Sequence, residues 1–122
     1  MELVDRGYDL IEGDLKRLRK YVSLRTDLEN YFKIHNDNWK NYSNISCIIA
    51  AGKNYCVCKE RIGIKNPKMG PSAGGRLWFV INKITGEYYR CLLYTAREEP
   101  SYPKSTCFDI VRKQIGRIFP ES

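Results

Sequence analysis

Histidine is nearly absent from this chain, with His35 the only one. A pair of imidazoles for acid–base catalysis is therefore excluded, and a zinc site would have a single ring to draw on. No run approaches the roughly 20 apolar residues that a membrane-spanning helix needs, and the segment MELVDRGYDLIEGDLKRL lacks the unbroken apolar stretch of a signal peptide. The protein is expected in the cytoplasm, away from membranes. Five cysteines (Cys47, Cys56, Cys58, Cys91 and Cys107) form an odd set without CxxC spacing. Reduced, mostly buried thiols are expected, since free cysteine packs as a small hydrophobe. Cys56 and Cys58 stay open as a metal or redox pair, because their spacing puts both sulfurs on one face of a strand. Repeats and low-complexity segments are also missing.

Acidic residues are scarce in one half only. Residues 1–52 carry 8 basic and 8 acidic side chains, whereas residues 53–122 carry 13 and 6, so the net charge of +7 lies entirely in the second half. That half is expected to meet a polyanion or an acidic partner. The chain has 122 residues, 43% of them hydrophobic. This suits one domain spanning 1–122, whose core buries roughly two-thirds of the surface an unfolded chain would expose.

Between Tyr8 and Tyr21 the spacing of Ile11, Leu15, Leu18 and Val22 predicts an amphipathic helix. Ser23 is a natural N-cap for a second helix, with Leu24, Leu28, Tyr31 and Phe32 on its apolar face, running to about Trp39. The short connection predicts an antiparallel helical hairpin. Short β-prone runs follow at Ile45–Ala51, Tyr55–Ile62, Gly75–Asn82 and Glu87–Thr95, the last two joined by a turn ending in Gly86. Between the second and third runs, GIKNPKMGPSAG reads as an exposed, mobile loop. Thr106 and Asp109 suggest a capping box for a C-terminal helix, whose apolar stripe is Phe108, Val111, Ile115 and Ile118. The expected fold is α+β: a helical hairpin packed on a mainly antiparallel sheet of three or four strands, then a C-terminal helix. Helices should cover one face and leave the other for function.

Alternation places Lys59 and Arg61 on one strand face with Tyr55 and Val57, and Cys56, Cys58 and Ile62 on the other. Arg76 follows Gly74-Gly75, Arg90 lies in the hairpin partner, and Arg97 stands where that strand ends. So many cations on one sheet face repel one another, which makes a merely structural role expensive. Trp78 shares the Arg76 face, and Glu60 is aimed away from Lys59 and Arg61. His35, on the second helix, reads as structural.

The segment CKERIGIKNPKMGPSAGGRLWFVINKITGEYYRCLLYTAREE resembles the core of the RelE/ParE toxin superfamily, and DLKRLRKYVSLRTDLENYF resembles that family's helical hairpin. The resemblance spans about Tyr8 to Arg117. It implies a compact α+β toxin held inactive by a small acidic antitoxin, a hetero-oligomer with that antitoxin being open. RelE-like members cut messenger RNA in the ribosomal A site, whereas ParE-like members poison DNA gyrase. A catalytically silent relative that binds RNA or protein is the third alternative. By position, Lys59, Arg61, Arg76 and Arg97 match the family's basic residues, and Tyr102 stands near its C-terminal tyrosine. Cleavage by the ribose 2′-OH needs a base, positive charge on the phosphorane and an acid for the leaving oxygen. Lys59, crowded by arginines, is the candidate base, and Arg61 and Arg76 would clamp phosphate oxygens. Arg97 would stabilise the departing charge, and Tyr102 would stack on a base. Lys65, Lys68 and Arg90 are the expected RNA-binding cations. The partners implied are ribosome, messenger RNA and antitoxin, with neither cofactor nor metal called for.

Overall fold

The computed structural model describes residues 2–40, 49–51 and 54–119. The elements run β1 (Val4–Asp5), α1 (Glu12–Arg17), α2 (Leu24–Ile34), α3 (Asn36–Lys40), β2 (Ile49–Ala51), β3 (Tyr55–Ile62), β4 (Gly75–Asn82), β5 (Glu87–Thr95) and α4 (Lys104–Ile118). Single turns of 3₁₀ helix occupy Asp9–Ile11 before α1 and a longer one Ala96–Ser101 before α4. Among the described residues no helix is long and apolar enough to cross a membrane.

The α+β class holds, and β3, β4 and β5 begin and end where β-propensity and turn chemistry place them. The β4–β5 hairpin closes with Gly86 at a φ of 77° and its N–H donated to Asn82 O at 2.9 Å, a backbone shape that favours glycine. Gly74 is required for another reason. A Cβ there would stand 2.2 Å from Ile62 O, so only glycine lets the chain enter β4 against the end of β3.

The sheet has five strands in the order β1-β5-β4-β3-β2. It is mixed: β1, absent from the sequence reading, pairs parallel with β5, while the other neighbours are antiparallel. Of the expected first run, Ile49–Ala51 forms β2 and residues 45–48 lie outside the described residues.

The larger correction concerns the faces. Cys56, Cys58, Ile62, Leu77, Phe79, Ile81 and Leu93 point to a core shared with Ile11, Leu18, Leu24, Leu28 and Phe32 of the N-terminal segments. Val57, Trp78, Val80, Leu92 and Tyr94 point to a second core shared with Cys107 and Val111 of α4. Both faces are thus covered, because both carry apolar runs that must be buried. Among the described residues the open functional face expected from the sequence does not exist as a whole; Lys59 and Arg61 toward the end of β3 keep part of it accessible.

The predicted first helix is shorter than its periodicity. α1 ends at Arg17, and the chain turns so that Leu18, Tyr21 and Leu24 enter one core, leaving Val22 70% exposed. α1 packs on β5 and α2 on β3, so the sheet rather than a mutual hairpin seam organises these helices. Ser23 makes no side-chain cap. Its hydroxyl donates to Asp27 Oδ2 at 2.7 Å and accepts the Asn66 N–H at 2.8 Å, while Asp27 Oδ2 accepts the Lys65 N–H at 3.2 Å. The 63–73 loop is therefore fastened to the start of α2, with Ile64 and Met69 bridged across it, instead of swinging free. Removing the buried Asp27 carboxylate by Asp27→Ala is expected to cost about 2 kcal/mol, the usual penalty for orphaning buried hydrogen-bond partners. Faster hydrogen exchange at Lys65 N–H would report the loosened loop, and an unchanged exchange rate would show that the tie is dispensable.

α4 starts at Lys104 behind Pro103, without a side-chain cap. The capping box lies earlier, between Thr95 and Glu98, and opens the 3₁₀ helix. Cys56 is disulfide-bonded while Cys58, Cys91 and Cys107 are free and buried, which corrects the expectation of uniformly reduced thiols and removes Cys56 from any thiolate pair. Cys47 lies outside the described residues.

Candidate functional site

The end of the sheet where β3 finishes, β4 begins and β5 finishes gathers most of the residues singled out in the sequence. Arg61 pairs in register with Arg76, and Arg76 with Tyr94; one row further in, Lys59 pairs with Trp78 and Trp78 with Leu92. The 3₁₀ helix carrying Arg97 folds back over this corner, held by Glu98, which accepts from Arg17 Nε at 2.9 Å and from Thr95 N–H at 3.0 Å. Arg17 in turn reaches Leu93 O at 3.1 Å, so α1, β5 and the 3₁₀ helix are tied through one guanidinium.

At the centre lies a carboxylate that the sequence reading passed over. Glu99 Oε1 sits 3.3 Å from Lys59 Nζ and 3.5 Å from Arg76 Nε. Burial works to raise the Glu99 carboxyl, but the hydrogen bond from Lys59 and the Arg76 charge outweigh it and hold the group below the usual carboxylate range. Lys59 therefore stands beside an acidic partner as well as the neighbouring arginines.

Arg76 is placed differently from a surface clamp. Its side chain is 3% exposed. Nη1 donates to Pro71 O at 2.9 Å and Gly75 O at 3.2 Å, and Nη2 donates to Ser72 O at 2.9 Å. The forked end therefore braces the loop that leads into β4, while Nε is buried without a formed hydrogen bond. Arg61 and Arg97 are exposed. Tyr102 is half-buried and stacked on Tyr94, centroids 4.4 Å apart and planes 3° apart, with Arg17 6.0 Å from its ring. A base that stacked on Tyr102 would have to displace one of these neighbours. Tyr94 accepts from Trp78 Nε1 at 3.1 Å and from Cys107 Sγ at 3.7 Å. Burial pushes both the Tyr94 hydroxyl and the Cys107 thiol up, so Cys107 stays a thiol and not a ready nucleophile.

Arg90 does not belong to this face. The register shifts between Trp78 and Phe79, and Cys91 and Leu92 both turn toward the α4 core. This bulge reverses the alternation beyond it, so Arg90 points to the N-terminal helices. There its guanidinium has 0% exposure, binds Asp5 at 2.6 and 3.1 Å and lies 4.2 Å from the Tyr8 ring centre and 5.1 Å from that of Phe32. It joins β1 to β5 and cannot reach RNA.

Lys65 and Lys68, by contrast, are exposed, and with Arg61 they rim a groove of about 460 Å³ between α2 and the 63–73 loop. Tyr31, Ile34 and His35 form its helix side. The structure therefore divides the expected set: Lys59, Arg76 and Glu99 form a compact corner, Arg61 stands between corner and groove, and Arg90 is removed. Among the described residues no group of three or more His, Cys, Asp or Glu is placed to hold a metal ion.

Comparisons of the chain with family models, with curated proteins and with solved structures give no match.

Proposed function

We propose that the protein is a RelE-like, ribosome-dependent endoribonuclease that cleaves messenger RNA and is neutralised by a small acidic antitoxin. The observation that carries this reading is the convergence of Lys59 and Arg76 on one anionic oxygen, 3.3 and 3.5 Å away, beside a groove rimmed by Arg61, Lys65 and Lys68. A phosphate at that point would meet a lysine and a rigidly held guanidinium, the electrostatic arrangement that attack by the 2′-OH requires. Arg61 and the loop lysines would guide the flanking backbone. Side chains suited to move protons are few here, so alignment of the reacting 2′-OH has to be supplied by the ribosome. Such work is cytoplasmic, where most disulfides are reduced, and so must survive reduction at Cys56.

The burial of Arg76 specifically favours a second reading, a catalytically silent RNA-binding relative. Single-turnover assays on programmed ribosomes separate the two. Cleavage that needs ribosomes supports the nuclease; binding without cleavage supports the silent relative, and intact transcripts with gyrase-dependent DNA breaks would favour a ParE-like poison. Lys65→Ala and Lys68→Ala are expected each to weaken RNA binding and to shallow its salt dependence by about one phosphate contact, while leaving cleavage at saturating enzyme little changed. A salt slope identical to that of the wild type would take the groove out of the RNA path.

A further inference from the structure

We propose that Lys59 and Arg76 form an anion-binding seat whose resident occupant is the chain's own Glu99 carboxylate, which a phosphate oxygen must displace to bind.

Three observations converge on it. Glu99 Oε1 is shared between Lys59 Nζ and Arg76 Nε. Arg76 Nε is buried and has no formed hydrogen bond, although the same side chain satisfies its Nη donors on three backbone carbonyls. That nitrogen lies 3.5 Å from the Glu99 carboxylate, an ion pair without hydrogen-bond geometry, and a buried N–H without a hydrogen bond is costly enough that an anion able to approach closer would be held there. The Glu99 side chain is 39% exposed, so when it swings away a ligand can arrive from solvent along the path it vacates.

The means of exchange is also present. Glu98 holds the 3₁₀ helix through Arg17 and the capping box, so the backbone under Glu99 is pinned, while among the described residues its own side chain is tied to the two cations. Rotation of Glu99 alone empties the seat, a movement that exposed side chains make in picoseconds to nanoseconds. A phosphate brings more acceptor oxygens than a carboxylate and can meet the ammonium and the guanidinium together. Weak anions are thereby kept out, and a ligand with further contacts on Arg61 and the loop lysines is favoured. The seat rests on the reading of this corner as the place where an RNA phosphate is handled, but phosphate occupancy does not require cleavage.

The test is titration of the intact protein with inorganic phosphate at low salt, followed through the NMR signals of Arg76 Nε–H and the Lys59 side chain. Glu99→Gln is expected to tighten phosphate about fivefold, the size of the part-exposed ion pairs it removes, and Glu99→Ala should show the same gain. The gain should vanish in the Lys59→Ala, Glu99→Gln double variant. Asp109→Asn removes the same charge from an exposed site on α4 and should leave affinity unchanged. Unaltered or weaker binding by both Glu99 variants, or an equal gain with Asp109→Asn, would overturn the seat. Tighter phosphate binding without cleavage on ribosomes would keep the seat and remove the nuclease; ribosomal cleavage with no gain at Glu99 would do the reverse.

Discussion

Arg90→Ala should lower the melting temperature by about 10–15 °C, corresponding to roughly 3 kcal/mol in a domain of this size. The guanidinium is fully enclosed, its charge is matched by Asp5, and its flat faces lie against Tyr8 and Phe32. Truncation leaves a cavity among aromatics and strips Asp5 of its partner, so β1 loses its hold on β5. Arg90→Met, which fills most of the space, should recover part of the loss. The pH dependence carries a sign. Burial tends to raise the Asp5 carboxyl, but the hydrogen bond and charge of Arg90 overcome it and lower it. Its stabilisation is therefore complete above the unfolded carboxylate value of about 3.9 and is lost as pH falls through the folded value. Acid melts of the wild type should show that loss, and Arg90→Met should show a smaller one, since Glu98 and Glu99 keep their own lowered values. RNA affinity of Arg90→Met should match the wild type, and a marked drop with a normal melt would return Arg90 to the binding surface.

Arg76→Ala is the second large effect. Its guanidinium braces Pro71, Ser72 and Gly75 carbonyls at the entrance to β4, so removal takes a donor from three acceptors and leaves Glu99 paired with Lys59 alone among its two cations. A loss of about 3 kcal/mol is expected, visible as a melt lowered by about 10 °C. Arg76→Lys should fare little better, because one ammonium cannot span carbonyls that a planar fork reaches together. On the proposed nuclease reading, ribosome-dependent cleavage should fail with both, through the corner's geometry as well as its charge. If Arg76→Ala melted like the wild type while cleavage vanished, the residue would be catalytic and the bracing incidental.

These outcomes bear on what could be read from the sequence. β3, β4, β5 and the Gly86 turn were legible because β-prone runs and a glycine-ended turn are local signals. The face of Arg90 was not. Strict alternation groups it with Leu92 and Tyr94, and the bulge hides in the uninterrupted apolar run Cys91-Leu92-Leu93-Tyr94, where a one-residue slip changes no pattern. β1 is two residues long and has no periodicity to find. Glu99 was missed because it lies beyond the strand, although an acidic pair directly after Arg97 was there to be weighed. Asp27 carried a clearer signal: an acid beside Leu24 and Leu28 on the apolar stripe of α2 needs a partner, and the loop supplies it.

The parallel pairing of β1 with β5 also sets an order of events during synthesis. Arg90 closes on Asp5 across 85 residues of chain. Until β5 has left the ribosome, the first strand has no neighbour to join, and at about 5–20 residues per second that wait is about 4–17 s. Contacts of such long range are also the slowest to form. The nascent chain thus spends its first seconds with β1 and the aromatic nest of Tyr8 and Phe32 unassembled.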